Sequence, residues 1–129
     1  MLTTLKERAL ESLSQTPSLE VSTHLDTLSE LIFAIAPTAT TLSEKGFEVF
    51  YLLEDWAFAL VPHQHNLSLY HASDLDISSF CERLKNVHLG DHCILFDDLD
   101  SVNLNVLVEL LALLKVDMVR KHQLDQALH

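Results

Sequence analysis

Residues 47–96 decide the fold, and they read FEVFYLLEDWAFALVPHQHNLSLYHASDLDISSFCERLKNVHLGDHCILF. Three segments of this stretch are rich in aromatic and branched apolar residues and are separated by short polar turns, which is typical of antiparallel strands. These segments are Phe47–Leu53, Trp56–Val61 and Leu67–His71. After them, the sequence predicts a short helix that begins at Asp74 or Asp76 and ends at Lys85, and then a closing strand at Cys93–Phe96.

Helical patterns lie on both sides of this stretch. Over Leu19–Ala36, apolar residues recur at spacings of three and four, and Pro37 ends the pattern. A longer helix is predicted over residues 101–127, and it is apolar nearly all round between residues 104 and 114. Residues 1–17 are predicted to form an N-terminal helix and a linker.

A meander of strands between flanking helices predicts an α+β fold. We expect an antiparallel sheet with the helices packed on one of its faces. The chain has 129 residues, with only two glycines and three prolines, so long linkers are not expected. Residues 1–129 are therefore predicted to form a single domain.

The charge balance of the chain is strongly acidic. Asp and Glu number 19 against 8 Lys and Arg, which gives a net charge of −11 at pH 7. This charge disfavours nucleic acid and anionic membranes, and it suits cations or a basic protein partner. Simple solubility is the plainer explanation of the same acidic excess.

The sequence also predicts a compartment. Two cysteines are too few for the disulfide framework of a small secreted domain, and no secretory signal pattern is found. The most apolar run, Val102–Val119, is interrupted by polar and charged residues and is a poor membrane span. We therefore expect a cytoplasmic protein that binds neither membrane nor nucleic acid.

Several short motifs resemble those of the YdhG-like family. Ala36-Pro37 closes a helix, and Gly46 and Phe50 enter the first strand, as in that family. Asn66–Tyr70 is similar to its His-(Val/Ile)-Ser-Leu-Tyr strand, and Leu89–Phe96 is similar to its Leu-Gly-Lys-Gly-x-Ile-Arg-Phe strand. The resemblance covers residues 21–115.

This resemblance implies a fold and a class of function. Members of the family are small bacterial cytoplasmic domains with a frataxin-like two-layer sandwich, and most have no assigned function. One branch is regarded as an intracellular iron chaperone. By resemblance, this chain is expected to be a small acidic metal carrier, with iron as the possible cofactor.

Three groups of side chains are candidates for metal ligation. Asp26 and Glu30 are carboxylates one helical turn apart, whose repulsion a cation would relieve. His63 and His65 place two imidazoles on one side of an extended turn. The third group is the acidic run Asp97, Asp98 and Asp100. Each group has a plain structural alternative: an exposed polar turn, a solvated carboxylate or an acid that complements a helix dipole.

Catalysis finds little support in the sequence. There is no Gly-x-Ser-x-Gly elbow, no phosphate loop and no dinucleotide fingerprint, so we expect no enzymatic activity. A pocket that joined several of Glu48, His65, Tyr70 and His71 would favour an enzyme instead. The main alternative to a metal carrier is a metal-free protein–protein interaction module, which would form a homodimer or bind another protein through the C-terminal helix.

Overall fold

Across residues 17–44 and 46–127, which it describes, the computed structural model contains a six-stranded antiparallel sheet in the order β1-β2-β3-β4-β6-β5. The strands are β1 (Thr40–Glu44), β2 (Phe47–Leu52), β3 (Asp55–Pro62), β4 (Leu67–His71), β5 (Val87–Gly90) and β6 (Cys93–Phe96). The helices are α1 (Leu19–Ile35), the short α2 (Cys81–Leu84) and α3 (Leu104–Ala127).

The predicted α+β class and antiparallel meander are confirmed. β2, β3, β4, β6 and both long helices agree with the predicted segments to within a few residues. Two strands were not predicted, β1 and β5, and they form the two edges of the sheet. The predicted helix before Lys85 is shorter than expected, a 3-10 turn at Ser78–Phe80 followed by α2. The predicted N-terminal helix lies outside the described residues.

Helix α1 is fixed at both of its ends. At its start, the Ser18 side chain accepts a hydrogen bond from the backbone N–H of Val21, at 3.2 Å. At its end, the Lys115 ammonium on α3 donates to the carbonyl of Ile35 at 2.7 Å, where a cation favours the helix dipole. The first contact caps α1, and the second joins its C-terminal end to α3.

The β2–β3 hairpin turns without glycine. Leu52 pairs with Asp55, so the loop is Leu53-Glu54, and both residues have positive φ, 51° and 74°. Such backbone angles are costly for residues with a Cβ, so the turn is a point of local strain.

Both faces of the sheet carry buried side chains. On one face, α1 and α3 share a core with the strands, and its fully buried members include Leu28, Ile32, Phe58 and Leu111. The opposite face carries a separate buried cluster, formed by Phe47, Val49, Ala59, Val61 and Tyr70. The described helices contribute only to the first of these clusters.

The segment between β6 and α3 is held by its own side chains. The Asp98 carboxylate accepts from the backbone N–H of Asp100 at 3.1 Å and from Ser101 Oγ at 2.9 Å, which closes the 3-10 turn Leu99–Ser101. Asn103 then caps α3 by accepting from the N–H of Val106 at 3.3 Å. These bonds present Asp98 and Asp100 on a defined turn rather than on a loose loop.

Candidate metal centre

Four potential metal ligands meet where α1 begins and β6 leads into α3. Glu20 and His24 lie on successive turns of α1, and Asp98 and Asp100 lie in the 3-10 region before α3. One ligand atom from each residue lies within 4.8 Å of all the others. This spacing is compatible with one ion at the centre, because metal–ligand bonds to nitrogen and oxygen are about 2.0–2.2 Å long.

His24 is the inner member of the cluster. Only 8 % of the residue is exposed, and its Nε2 lies 3.8 Å from Asp100 Oδ2, which is too long for a hydrogen bond. Among the described residues, no side chain or backbone group forms a hydrogen bond with its ring. Helix α1 therefore holds a buried imidazole that has no hydrogen bond to the described residues.

The three carboxylates surround this imidazole on its solvent side. Glu20 and Asp100 are exposed, and Asp98 is half-buried because it closes the 3-10 turn. Each oxygen of a carboxylate has more than one acceptor position, so the turn-closing bonds of Asp98 leave it able to bind a cation as well. Glu20, His24 and Asp100 also line a cleft of about 490 Å³ with Leu99 and Leu104.

The donor set indicates the kind of ion that the cluster suits. One imidazole nitrogen with three carboxylates is a mixed nitrogen and oxygen set, which suits Fe²⁺, Mn²⁺ or Zn²⁺ better than a soft ion such as Cu⁺. Three negative charges within such a short distance repel each other, and a divalent cation would relieve the repulsion. Two helix-bound ligands and two turn-bound ligands would then be joined through one ion.

The structure brings together two of the residues predicted from the sequence. Asp98 and Asp100 belong to the cluster, whereas Asp97 faces away and lies 2.8 Å from His88 Nε2. Asp98 also fits the structural alternative, since its carboxylate closes a turn before a helix.

The other predicted ligands lie elsewhere. Asp26 and Glu30 are exposed on α1, and no third acidic, histidine or cysteine ligand joins them within residues 17–44 and 46–127. His63 lies in the β3–β4 turn, with its Nε2 2.9 Å from Ser68 Oγ, and burial lowers the pKa of its ring. His65 in the same turn is exposed. These two groups remain predictions, and neither belongs to a cluster of three or more possible metal ligands in the described part of the chain.

Glu20 and His24 were not predicted. Their spacing of four residues on a helix is itself a ligand pattern, because it puts both side chains on one face. That signal was available in the sequence, but the acidic turn that completes the set comes much later in the chain. Only the packing of α1 beside the β6–α3 segment joins the two halves.

A second group of polar side chains lies between the C-terminal end of β4 and the β5–β6 turn. His71 and His92 line a cleft of about 250 Å³, with their ring centroids 5.6 Å apart. Nδ1 of each ring is buried and has no hydrogen-bond partner. His92 also has a positive φ of 57°, in the two-residue turn that joins β5 to β6.

Burial sets the protonation of His71. The residue is 2 % exposed, and desolvation lowers the pKa of its imidazole to about 4, with the neighbouring His92 acting in the same direction. The backbone of Ser73 and the carboxylates of Asp74 and Asp91 oppose this shift without reversing it. His71 is therefore neutral at pH 7.

The cleft is anchored to helix α3 by the segment after β4. Ser73 Oγ donates to Asp117 Oδ2 at 2.7 Å, and Lys121 donates to Asp74 Oδ2 at 2.7 Å. This lysine lowers the pKa of the Asp74 carboxyl, while Asp74 Oδ1 lies 3.5 Å from His92 Nε2. The cleft contains His71 but not Glu48, His65 or Tyr70, so the convergence that would have favoured an enzyme is not found in it.

Helix α3 has a buried face and an exposed apolar face. Leu107, Leu110, Leu111 and Leu114 are buried in the core. Leu113, Val116 and Leu124 are 44 %, 49 % and 60 % exposed and lie on one side of the helix. No helix in the described ranges is long and apolar enough to cross a membrane.

Comparisons of the chain with protein-family models, with curated proteins and with solved structures gave no match. The YdhG-like resemblance therefore remains a prediction. The functional argument depends on the side chains that this fold brings together.

Proposed function

We propose that this protein is a small acidic metal-binding protein that holds one divalent ion at Glu20, His24, Asp98 and Asp100. The observation that carries the proposal is the convergence of four ligand atoms, all within 4.8 Å of one another, from two separate parts of the chain. The net charge of −11 supports it, because it raises the local concentration of cations.

The exposure of the ligands favours a carrier over a permanent structural site. The Asp100 side chain is 84 % exposed, while that of His24 is 10 % exposed. An ion held by outer carboxylates can lose them one at a time to a recipient protein, whereas a closed structural site excludes such exchange. The inner imidazole would be the last ligand to leave.

Ferrous iron is the leading cargo. The donor set alone accepts Fe²⁺, Mn²⁺ and Zn²⁺, and in the usual affinity order Fe²⁺ lies above Mn²⁺ and below Zn²⁺. The YdhG-like resemblance, with its iron-chaperone branch, adds the preference for iron. The same resemblance leads us to propose a frataxin-like arrangement, a cytoplasmic location and binding without catalysis. The order helix, antiparallel sheet, helix supports the first of these.

Calorimetric titration tests the proposal. Metal-free protein is titrated at pH 7 with Fe²⁺ under anaerobic conditions, and separately with Mn²⁺ and Zn²⁺. We expect one ion per chain. Asp98→Asn keeps a turn-closing acceptor but removes the charge, so it should weaken binding about 10- to 100-fold, as a change of a ligand or its supporting shell does.

Asp97→Asn is the matched control for this titration. Asp97 is the neighbouring residue and has the same charge, but it contacts His88 instead of the cluster. Its substitution should leave the affinity within about twofold of the wild type, since an exposed pair contributes little. The proposal fails if no ion binds at micromolar concentrations, or if both variants lose affinity equally.

The exposed apolar face of α3 favours a second candidate function, a protein–protein module. Leu113, Val116 and Leu124 form this face, and a homodimer through α3 would cover them. Light scattering of the eluting protein measures its mass. A dimer that Val116→Glu converts to a monomer would support this function, and a monomer at every concentration would exclude the homodimer.

A further inference from the structure

We propose that the cleft between His71 and His92 is a second binding site, which takes a small organic ammonium compound. This site is separate from the metal cluster and does not depend on it. The carboxylates of Asp74, Asp76 and Asp91 would hold the ammonium charge, and a ring nitrogen of His71 would accept one of its N–H groups.

The first argument is the unused polar group beneath the cleft. His71 is 2 % exposed, yet its Nδ1 has no hydrogen-bond partner. A buried polar atom without a partner costs about 1–3 kcal/mol, and native structures contain few of them. Because the ring is neutral at pH 7, it has one nitrogen that donates and one that accepts. With the proton on Nε2, Nδ1 is an acceptor for a ligand N–H.

The second argument is the charge around the cleft. Asp74, Asp76 and Asp91 all line it. Only Asp74 is paired with a lysine, Lys121, while Asp76 accepts from the backbone N–H of Ser78, and Asp91 is 99 % exposed. Asp91 Oδ1 lies 3.7 Å from His92 Nε2, and neither Asp76 nor Asp91 has a lysine or arginine partner among the described residues, so the cleft repels anions and attracts a cation.

The third argument separates an ammonium compound from a metal ion. Within residues 17–44 and 46–127, three or more metal-ligand atoms come within 4.8 Å of one another only in the Glu20 cluster. The donors around His71 and His92 are more widely spread than one ion requires. A compound with two amino groups can bind such separated acceptors one at a time, through N–H bonds of about 2.7–2.9 Å from each nitrogen.

The size of the cleft sets the size of the ligand. A volume of about 250 Å³ is below the range of drug-sized pockets, which begins near 300 Å³. Leu75, Ile77 and Leu89 supply apolar contacts beside the carboxylates. A short aliphatic amine fits both the volume and this mixture of surfaces.

The test uses a charged and a neutral molecule of the same length. The full chain is titrated at pH 7 with 1,4-diaminobutane and with 1,4-butanediol, each to about 10 mM, a range that detects millimolar affinity. Binding is followed by the ¹⁵N resonances of the backbone and of the histidine rings. We expect the diamine to give saturable shifts at residues 71–74 and 90–92 and at His71 Nδ1, and the diol to give none.

Two variants assign the site. Asp91→Asn should weaken diamine binding about three- to fivefold, which corresponds to the loss of one exposed ion pair. Glu20→Gln, in the metal cluster, should leave diamine binding unchanged, so the two sites can fail independently. Because His92 already has a positive φ, His92→Gly removes the ring at a position that glycine tolerates, and it should also weaken binding.

Three results of the diamine and diol titrations would overturn the proposal. They are equal binding of the diol, diamine shifts that map to residues 20–24 and 98–100 instead, and the absence of saturation with the diamine. A Zn²⁺ titration that moves the His71 and His92 ring resonances in the Glu20→Gln variant would also overturn it, since it would make the cleft a metal site.

Discussion

The metal cluster and the His71–His92 cleft are built from the same residue types in opposite arrangements. In the cluster, one imidazole lies inside and three carboxylates surround it within bonding range of a common centre. In the cleft, two imidazoles lie inside, and the carboxylates are spread along the rim. The comparison teaches that histidine and aspartate content does not define a site. The distance between donor atoms decides whether one ion can contact all of them or whether a compound with several N–H groups is needed.

His24 of the cluster and His71 of the cleft also differ in what surrounds them before any ligand binds. His24 is in contact with an exposed carboxylate, Asp100, at 3.8 Å. His71 is enclosed more completely, and this burial, together with the second imidazole beside it, lowers its pKa to about 4. The cluster therefore favours a positive charge at its centre, and the cleft keeps its inner ring neutral.

Acid titration gives the largest expected effect in this comparison. The folded pKa of His71, about 4, lies below the ordinary value of 6.5, so between these values the unfolded chain binds a proton that the folded chain does not. Stability is therefore complete above pH 6.5 and falls by about 3 kcal/mol as the pH decreases to 4. Burial also lowers the pKa of His63, which adds to the slope in the same direction.

Urea unfolding at pH 7 and at pH 4 measures this loss. His71→Phe removes the titrating group with a side chain of similar size, so this variant should lose less stability on acidification than the wild type. His65→Asn, in the exposed β3–β4 turn, is the control and should keep the wild-type slope. If His71→Phe and the wild type have the same slope, His71 is not the buried neutral group described above.

Metal-linked stability is the next effect in size. An ion that joins α1 to the turn before α3 binds only the folded chain, and at 100 times its dissociation constant it stabilises by about 2.7 kcal/mol. For a domain of this length, we expect the melting temperature to rise by about 10 °C with saturating metal and to return when a chelator removes it. Differential scanning calorimetry measures both shifts.

His24→Leu makes this prediction specific to the cluster. The ring of His24 has no hydrogen bond with the described residues, so an apolar side chain of similar volume should keep the metal-free melting temperature nearly unchanged. The same variant should lose the increase caused by metal. A full increase in His24→Leu would show that the ion binds elsewhere.

The smallest predicted effect lies in a region remote from both sites. Glu54 has a φ of 74° in the β2–β3 turn, so Glu54→Gly should stabilise the fold by about 1 kcal/mol. Glu54→Ala keeps the Cβ, and it should leave the unfolding free energy unchanged. Neither variant should alter metal or diamine affinity. These variants therefore show whether a change in stability alone affects binding at the metal cluster or at the His71–His92 cleft.

Much of the fold was predictable because its central elements carry their own patterns. The apolar spacing of α1 and the aromatic strands β2 and β3 predict those elements without tertiary information. The edge strands do not. β1 reads TTLSE, with no apolar alternation, and β5 has only four residues, so both depend on pairing with a neighbour for their structure. The sequence pattern does not predict a strand whose structure depends on backbone hydrogen bonds to its neighbour and not on side-chain burial.

The candidate site was predictable only in half. Asp98 and Asp100 belong to an acidic run at residues 97–100, which is evident from the sequence alone. In the sequence, all six strands lie between Glu20 and His24 and that acidic run. The four residues meet in space because α1 packs beside the β6–α3 segment. The same holds for His71 and His92, which the β4–β6 pairing brings into contact.

Paramagnetic relaxation by Mn²⁺ tests the central claim most directly, because it reports where the ion binds. Substoichiometric Mn²⁺ is added to ¹⁵N-labelled protein, and the loss of each amide signal is measured. We predict that residues 19–24 and 98–101 lose signal first, and that the Asp98→Asn variant keeps those signals. Broadening of amide signals centred on residues 63–65 or 91–92, or uniform weak broadening of the amides near all exposed carboxylates, would contradict the account.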